Sequence, residues 1–253
     1  GNFAYHANAL GATGVAVSTV GDDERGKRAI SELSKRGLLT GCVSILAGQI
    51  TGYVVASVDD DGVASYEFPD NVAWDNIHLN DEVKKLAERV DGVCFGSLAQ
   101  RSASSRQAIR WFLDHVPEKA LKVFDLNLRQ NFYTRDIIAE SLYLADILKL
   151  NDDELNVLSG MFNLAGSDVE KLRQLLSAYD MSLVVLTRGG EGSLLVSSSE
   201  VSDHPGFSSE IVDTIGAGDS FTAATVLGLL RGEELDIINE HANSLAAYVC
   251  SQK

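Results

Sequence analysis

Positive charge is in short supply. Asp and Glu number 36 against 21 Lys and Arg, a formal charge of −15, and the acids run along the chain rather than collecting in a tail. Nucleic acid is excluded as a partner, because a phosphate backbone needs clustered Lys and Arg; a small phosphate ligand would have to be met by local donors. Cysteine is sparse too: Cys42, Cys94 and Cys250 are odd in number and far apart. That excludes a disulfide framework and a metal-ligand spacing, and fits buried free thiols in a reducing compartment. Only three prolines occur, so no Pro-rich linker separates two domains. No apolar run is long enough to span a bilayer and no signal-like segment is present, which makes a cytosolic protein the expectation. There is no G-x-x-x-x-G-K-[ST], against a P-loop enzyme, and no G-x-G-x-x-G after the first strand, against a dinucleotide enzyme. The five histidines lack metal spacing, and His6 and His115 read as helix-surface residues.

What remains is 253 residues, 45% of them hydrophobic, enough to bury a substantial core. The chain opens on a turn into a helix that runs to Gly11. Val15 to Val20 reads as a strand and Glu24 to Arg36 as an amphipathic helix closed by Gly37. Between Val43 and Ile77 the character changes: Thr51 to Val58 and Val63 to Phe68 are short β-prone runs joined by Asp59-Asp60-Asp61-Gly62, a hairpin turn. From Asp81 onward helices alternate with strands at Gly92 to Phe95, Leu121 to Leu126, Ile147 to Leu150, Leu183 to Leu186 and Ser193 to Ser197. Such alternation predicts an α/β fold, a three-layer, doubly wound, mainly parallel sheet with a small β insertion at 43–77. Ligands of such sheets bind outside the carboxyl ends of the strands.

One stretch concentrates the chemistry: Asp213-Thr214-Ile215-Gly216-Ala217-Gly218-Asp219-Ser220-Phe221. The β-prone Glu210-Ile211-Val212 precedes it and the apolar run Thr222 to Leu230 follows at helical spacing, giving strand, tight glycine turn, helix. A helix N-terminus presents free N–H groups and the positive end of the macrodipole, a place suited to phosphate. A carboxylate at Asp219 either stabilises the first turn of the helix or accepts a proton from a nucleophile attacking a phosphoryl group.

Four further strings fall at strand ends or helix starts. Asn2-Phe3-Ala4 is followed by Gly11 and Gly21. Asp125-Leu126-Asn127-Leu128-Arg129 ends a strand, where a period of two puts Asp125, Asn127 and Arg129 on one side; it is a phosphate site or a polar strand end with an ion pair. Asn151-Asp152-Asp153-Glu154 is a capping box and also places a fixed carboxylate. Thr187-Arg188-Gly189-Gly190-Glu191-Gly192 is a hairpin or a loop that lets backbone approach a ligand. Asn243, with Leu245 to Val249, lies on the last helix, which is core or flanks a ligand.

The D-T-x-G-A-G-D-S-F string resembles the second signature of the PfkB, or ribokinase, family of sugar and nucleoside kinases. Asn2-Phe3-Ala4 with its glycines resembles the latter half of the first signature, and D-x-N-x-R, N-x-x-E and the 187–192 loop follow in family order. The resemblance runs from Asn2 to Cys250. It implies ATP-dependent phosphoryl transfer to a sugar hydroxyl with Mg2+ required, Asp219 as catalytic base, the amides of Gly216, Ala217 and Gly218 as the anion hole, and Arg129 neutralising phosphoryl charge. It gives Asn151 and Glu154 to Mg2+ and phosphate placement, the latter through water, Thr187, Gly189 and Gly192 to ATP phosphates and ribose, and Asn243 to adenine. Asn2 becomes a sugar ligand, Asn127 joins it, and segment 43–77 becomes a lid; in relatives such lids also mediate dimers, which leaves a homodimer open. The family's preceding Gly-Gly pair and its first strand, with an acidic sugar ligand, do not stand in this sequence, so the expected sheet is one strand short with an apolar edge. Asn71-Val72-Ala73-Trp74-Asp75-Asn76 and Phe95 to Arg101 look most like bacterial fructokinases, with Asn71, Trp74 and Gln100 as sugar contacts. Arg101, read as a lone cation, would also suit the carboxylate of ketodeoxygluconate. Fructose is favoured; ketodeoxygluconate, ribose, adenosine and a non-catalytic sugar or nucleotide binder are the alternatives.

Overall fold

Runs of Leu, Val and Ile in the second half of the chain become neighbouring strands. The computed structural model describes residues 1–58, 64–208 and 211–252. In chain order its elements are α1 (Asn2–Ala9), β1 (Ser18–Gly21), α2 (Glu24–Lys35), β2 (Val43–Leu46), β3 (Val55–Val58), β4 (Ala64–Glu67), α3 (Asp81–Ala87), β5 (Gly92–Gly96), α4 (Ala103–Asp114), β6 (Leu121–Asp125), α5 (Arg135–Leu144), β7 (Ile147–Asn151), α6 (Asp152–Phe162), α7 (Asp168–Ala178), β8 (Leu183–Thr187), β9 (Ser193–Ser197), β10 (Val201–His204), α8 (Ala217–Arg231) and α9 (Leu235–Cys250).

They fall into two compact units, one made of residues 1–14, 89–98 and 116–253 and the other of residues 15–88 and 99–115. The first unit carries a six-stranded sheet in the order β10-β9-β8-β7-β6-β5. β5 to β8 are parallel, while β9 runs antiparallel to β8 and β10 to β9. Side-chain parity divides the core. Val123, Ile147, Leu183, Val185 and Leu195 face Phe221 and Val226 of α8 and Ile238 and Ala242 of α9. The alternate residues, such as Phe124, Leu148 and Val184, are fully buried on the opposite face, where α5, α6 and α7 pack on β6 to β9. The result is a mainly parallel sheet with helices on both faces. α1 packs on α8.

In the second unit β1 and β2 form a parallel pair spanned by α2, and β3 and β4 form an antiparallel pair. The Asp59-Asp60-Asp61-Gly62 turn expected between β3 and β4 lies outside the described residues. Trp74 packs its indole against Gly52. Cys42 is buried, Cys94 and Cys250 are half-buried, and all three are free thiols. No described helix is long and apolar enough to cross a membrane.

Three local expectations change. The strand expected from Thr51 to Val58 forms only at Val55–Val58. The strand expected from Val15 to Val20 forms only at Ser18–Gly21, because Val15 makes a single bridge to Leu39. The strand expected before Asp213 is absent: Ile211 and Val212 are exposed and irregular, and the N–H groups of Val212 and Asp213 donate to the Cys250 carbonyl, capping α9 instead of joining a ladder. Glu210 lies outside the described residues.

Candidate active site

β5, β6, β7 and β8 end side by side. The register pairs Gly96 with Asp125, Asp125 with Lys149, and Asn151 with Thr187. Every loop leaving these carboxyl ends therefore opens at one edge of the first unit's sheet, where an α/β sheet collects its ligands.

α8 begins at that edge. Its N-cap is Gly216 at φ 87, a left-handed conformation that costs any residue with a Cβ about 1–2 kcal/mol. No side chain caps the helix, so its first turn offers N–H groups and positive dipole to an anion. Asp213 Oδ1 accepts from the Ile215 amide at 2.9 Å and fixes the approach to the turn. Asp219, half-buried in the first turn, accepts at Oδ2 from Asn2 Nδ2 at 3.2 Å. One turn further along α1, on the same face as Asn2, stands His6, whose Nε2 is 3.7 Å from where a Cβ on Gly216 would lie. Burial lowers the His6 pKa and the Asp219 carboxylate partly restores it. His6 is thus part of the site and not a plain helix-surface residue; its spacing of four from Asn2 was the available signal. His115 stacks on Trp111 in the second unit.

Beneath the turn lies a charge that no motif announces. Lys149 is buried in β7 on the parity that faces α8, with Nζ 3.2 Å from Asp125 Oδ1. Thr222 Oγ1 donates its one proton to the Gly218 carbonyl at 2.9 Å and stands 3.4 Å from Asp125 Oδ2. A Cβ at Gly218 would sit 3.1 Å from Lys149 Nζ, so glycine there admits the ammonium. Burial pushes the Asp125 carboxyl up, with Lys149 opposing. Burial alone would lower the Lys149 ammonium, yet Asp125, Glu154 and Asp219 outweigh it and its pKa is raised. Three carboxylates facing one ammonium hold Lys149 charged, while Glu154 and Asp219 add to the burial that opposes ionisation of Asp125.

The D-x-N-x-R string does not keep its period of two. β6 stops at Asp125, which is buried, and Asn127 takes φ 41, so Asn127 and Arg129 are exposed past the strand end. Arg129 donates to the Leu128 carbonyl. The capping box forms in full: Glu154 N donates to Asn151 Oδ1 at 2.8 Å, and Asn151 N to Glu154 Oε2 at 2.9 Å. Glu154 Oε1 takes the Leu128 amide at 2.8 Å. Each carboxylate oxygen of this buried residue is thereby engaged.

At the end of β8, Thr187 donates to the Leu150 carbonyl at 3.4 Å, and in the loop that follows Gly189 and Gly190 have open space where a side chain would go. At Gly192 the close approach is made by the chain itself, by the backbone of residues 204–206. Asn243 is buried, and its amide nitrogen donates to Ser193 Oγ at 2.7 Å and to Asn239. That side-chain network ties α9 to β9.

The remaining sequence candidates belong to the second unit. Asn71 is exposed at φ 55, and Gln100 is buried. Arg101 is not a lone cation: Nε and Nη2 each reach Asp75 at 2.8 Å, Nη2 also donates to the Pro69 carbonyl, and the guanidinium stacks on Trp74 at 4.1 Å. Asp75 could not have been picked as its partner from spacing alone.

The model of the pfkB family carbohydrate kinases matches residues 1–253. An uncharacterized sugar kinase of Pyrococcus horikoshii is 30% identical over 254 residues, covering 97% of this chain and 77% of its own length. Its structure in complex with ATP superposes with a TM-score of 0.86 at 29% identity, covering 100% of this chain and 82% of that one. Fructokinase-1 of Zea mays is 27% identical over 91% of this chain and 72% of its own, and 5-dehydro-2-deoxygluconokinase 2 of Bacillus cereus is 24% identical over 99% and 78%. With its signature turn, parallel sheet and carboxyl-end loops all in place, the chain belongs to the pfkB family of carbohydrate kinases.

Proposed function

We propose that this chain transfers the γ-phosphoryl group of ATP to a sugar hydroxyl, and that the sugar is fructose, phosphorylated at O6. The observation that carries the reading is Asp219 standing in the first turn of a helix whose N-terminus no side chain caps. There Asp219 takes the proton of the attacking hydroxyl, and the amides at Gly216, Ala217 and Gly218 meet charge developing on the phosphoryl oxygens. Asn2, bonded to Asp219, orients the carboxylate and binds the sugar; exposed Arg129 neutralises phosphate. Thr187, Gly189 and Gly192 belong to the ATP side of this reading. Asn243 stays part of it only through the α9 network it anchors. The P. horikoshii relative bound to ATP supports the choice of nucleotide.

Among the described residues no group of three or more His, Cys, Asp or Glu forms a metal cage. Both oxygens of Glu154 already accept backbone N–H groups. Such a donor set fits Mg2+, which keeps several waters, addressed by Glu154 and Asn151 through water. The ion would supply charge neutralisation to the transferring phosphate.

The maize fructokinase supports fructose, and the bacillus 5-dehydro-2-deoxygluconokinase keeps related sugars as the second reading. Arg101 weighs for a neutral sugar, because a substrate carboxylate would compete with the Asp75 carboxylate it already holds in bidentate fashion. Segment 43–77 acts in this reading as the lid over the sugar, with Asn71, Trp74 and Gln100 as its contacts, and as the surface of a homodimer.

Measuring kcat/KM for fructose, ribose, ketodeoxygluconate, 5-dehydro-2-deoxygluconate and adenosine side by side decides the substrate. Fructose should lead by at least about tenfold, roughly 1.4 kcal/mol of discrimination; a smaller margin overturns it. Asp219→Asn should lower kcat by at least about 10²-fold while KM for ATP stays within a few-fold, and a milder loss removes Asp219 from its role.

A further inference from the structure

A lysine in the middle of a buried strand, under the first turn of a helix, is badly placed for stability. Its partners across the sheet are Asp125 on β6 and Val185 on β8, and the rest of that face is aliphatic, Val123 and Ile147 among it, so an apolar pair would suit the two positions. Buried ion pairs such as Lys149–Asp125 are often replaced by apolar side chains without loss. A cation at a helix N-terminus also opposes the macrodipole. The cavity alongside, lined by Lys149, Thr222 and Thr225 among others, is about 10 Å3, room for one water at most. The ammonium therefore answers to protein groups: Asp125 at 3.2 Å, and the turn at Gly218, whose missing side chain leaves the space it fills. Thr222 Oγ1 stands between them, bonded to the Gly218 carbonyl at 2.9 Å and 3.4 Å from Asp125 Oδ2, so the pair and the turn are in contact through one side chain.

We propose that Lys149 and Asp125 are positioning residues for phosphoryl transfer: the buried pair props the Gly216–Asp219 turn from below, setting the height of its amides and of Asp219, and adds positive potential where a phosphoryl group would sit. The inference rests on the turn being the phosphoryl site. An unfavourable place for a lysine in the free protein becomes a useful one when an anion lies above it.

Removing Lys149 alone strands a buried carboxylate, and that variant is expected to unfold readily. The test is therefore the double variant Lys149→Met with Asp125→Leu, assayed with ATP and the best sugar of the panel and compared by thermal melting. The expected result is a melting temperature within a few degrees of wild type, kcat per folded protein reduced by about tenfold or more, and KM for the sugar within about twofold. A folded double variant with kcat within about threefold of wild type overturns the proposal. Should the double variant not fold, Thr222→Val decides, since it cuts the turn from an intact ion pair at equal volume: kcat should fall by about threefold or more, and unchanged kcat and KM overturn the proposal. Asp219→Asn runs in parallel. If it lowers kcat by less than about 10²-fold, the reading of the turn fails and takes this inference with it; if it loses activity while the double variant does not, only the positioning role fails.

Discussion

At His6 two influences oppose each other, and the difference between them is measurable. Burial favours the neutral imidazole and lowers the pKa from an ordinary value of 6.5, while the Asp219 carboxylate pulls it back up. Removing that charge leaves burial unopposed. The His6 ring should therefore titrate below the ordinary value in the wild type and lower still in Asp219→Asn, followed by NMR of the imidazole protons. A midpoint that rises in the variant would show that Asp219 does not face the ring. Residue-scale legibility was uneven for a physical reason. Asp219, Gly216 and Gly218 sit in one contiguous string, so the turn declares itself. Lys149 declares nothing, because its meaning comes from α8, some seventy residues later, folding across the end of β7.

Element by element, the readable features were those satisfied locally. The start of α6 follows from Asn151 and Glu154 bonding each other across one turn; β8 follows from an apolar run buried on both faces, and β7 from one broken only by Lys149. β10, with only Ser202 buried, carries no such run and exists because β9 offers it an edge. Ile211 and Val212 have strand propensity and no strand, since the end of α9 claims the amides of Val212 and Asp213 first. Asp23 is a local cap whose strength is not local. It caps α2 through Gly26 N at 2.8 Å, and also accepts from Thr51 Oγ1 at 2.6 Å and Thr51 N at 2.9 Å, a partner 28 residues away. Those hydrogen bonds, Thr51's first, hold its pKa down at about 2 against an ordinary 3.8. A depressed carboxylate contributes stability in full above its unfolded pKa and loses it as pH falls through the folded one. Thermal melts should show the wild type losing more than Asp23→Asn between pH 3.8 and about 2; parallel curves would deny Asp23 that contribution.

Over the whole molecule the charge of −15 has a cost that salt can relieve. Several of the ion pairs among the described residues are exposed i,i+3 contacts such as Lys27–Glu24 and Lys85–Glu82, worth little each. Self-repulsion among the remaining acids is long-ranged. Raising KCl from about 10 to about 200 mM shortens the screening length from roughly 30 Å to below about 10 Å and should raise the melting temperature; a flat or falling response would mean that repulsion is not a significant load. One acid is exempt from this diffuse accounting. Glu154 gives one oxygen to Leu128 in the loop after β6 and the other to Asn151 at the end of β7, so a single carboxylate fastens that loop to the start of α6. The consequence is evolutionary. From a glutamate codon, one base change reaches Gln, Lys, Asp, Gly, Ala or Val. Gln turns a donor toward an amide, Lys brings a cation, Asp falls a methylene short, and the others accept nothing. No neighbouring codon spells a substitute, and a lineage that loosens this fastening must do it in more than one step.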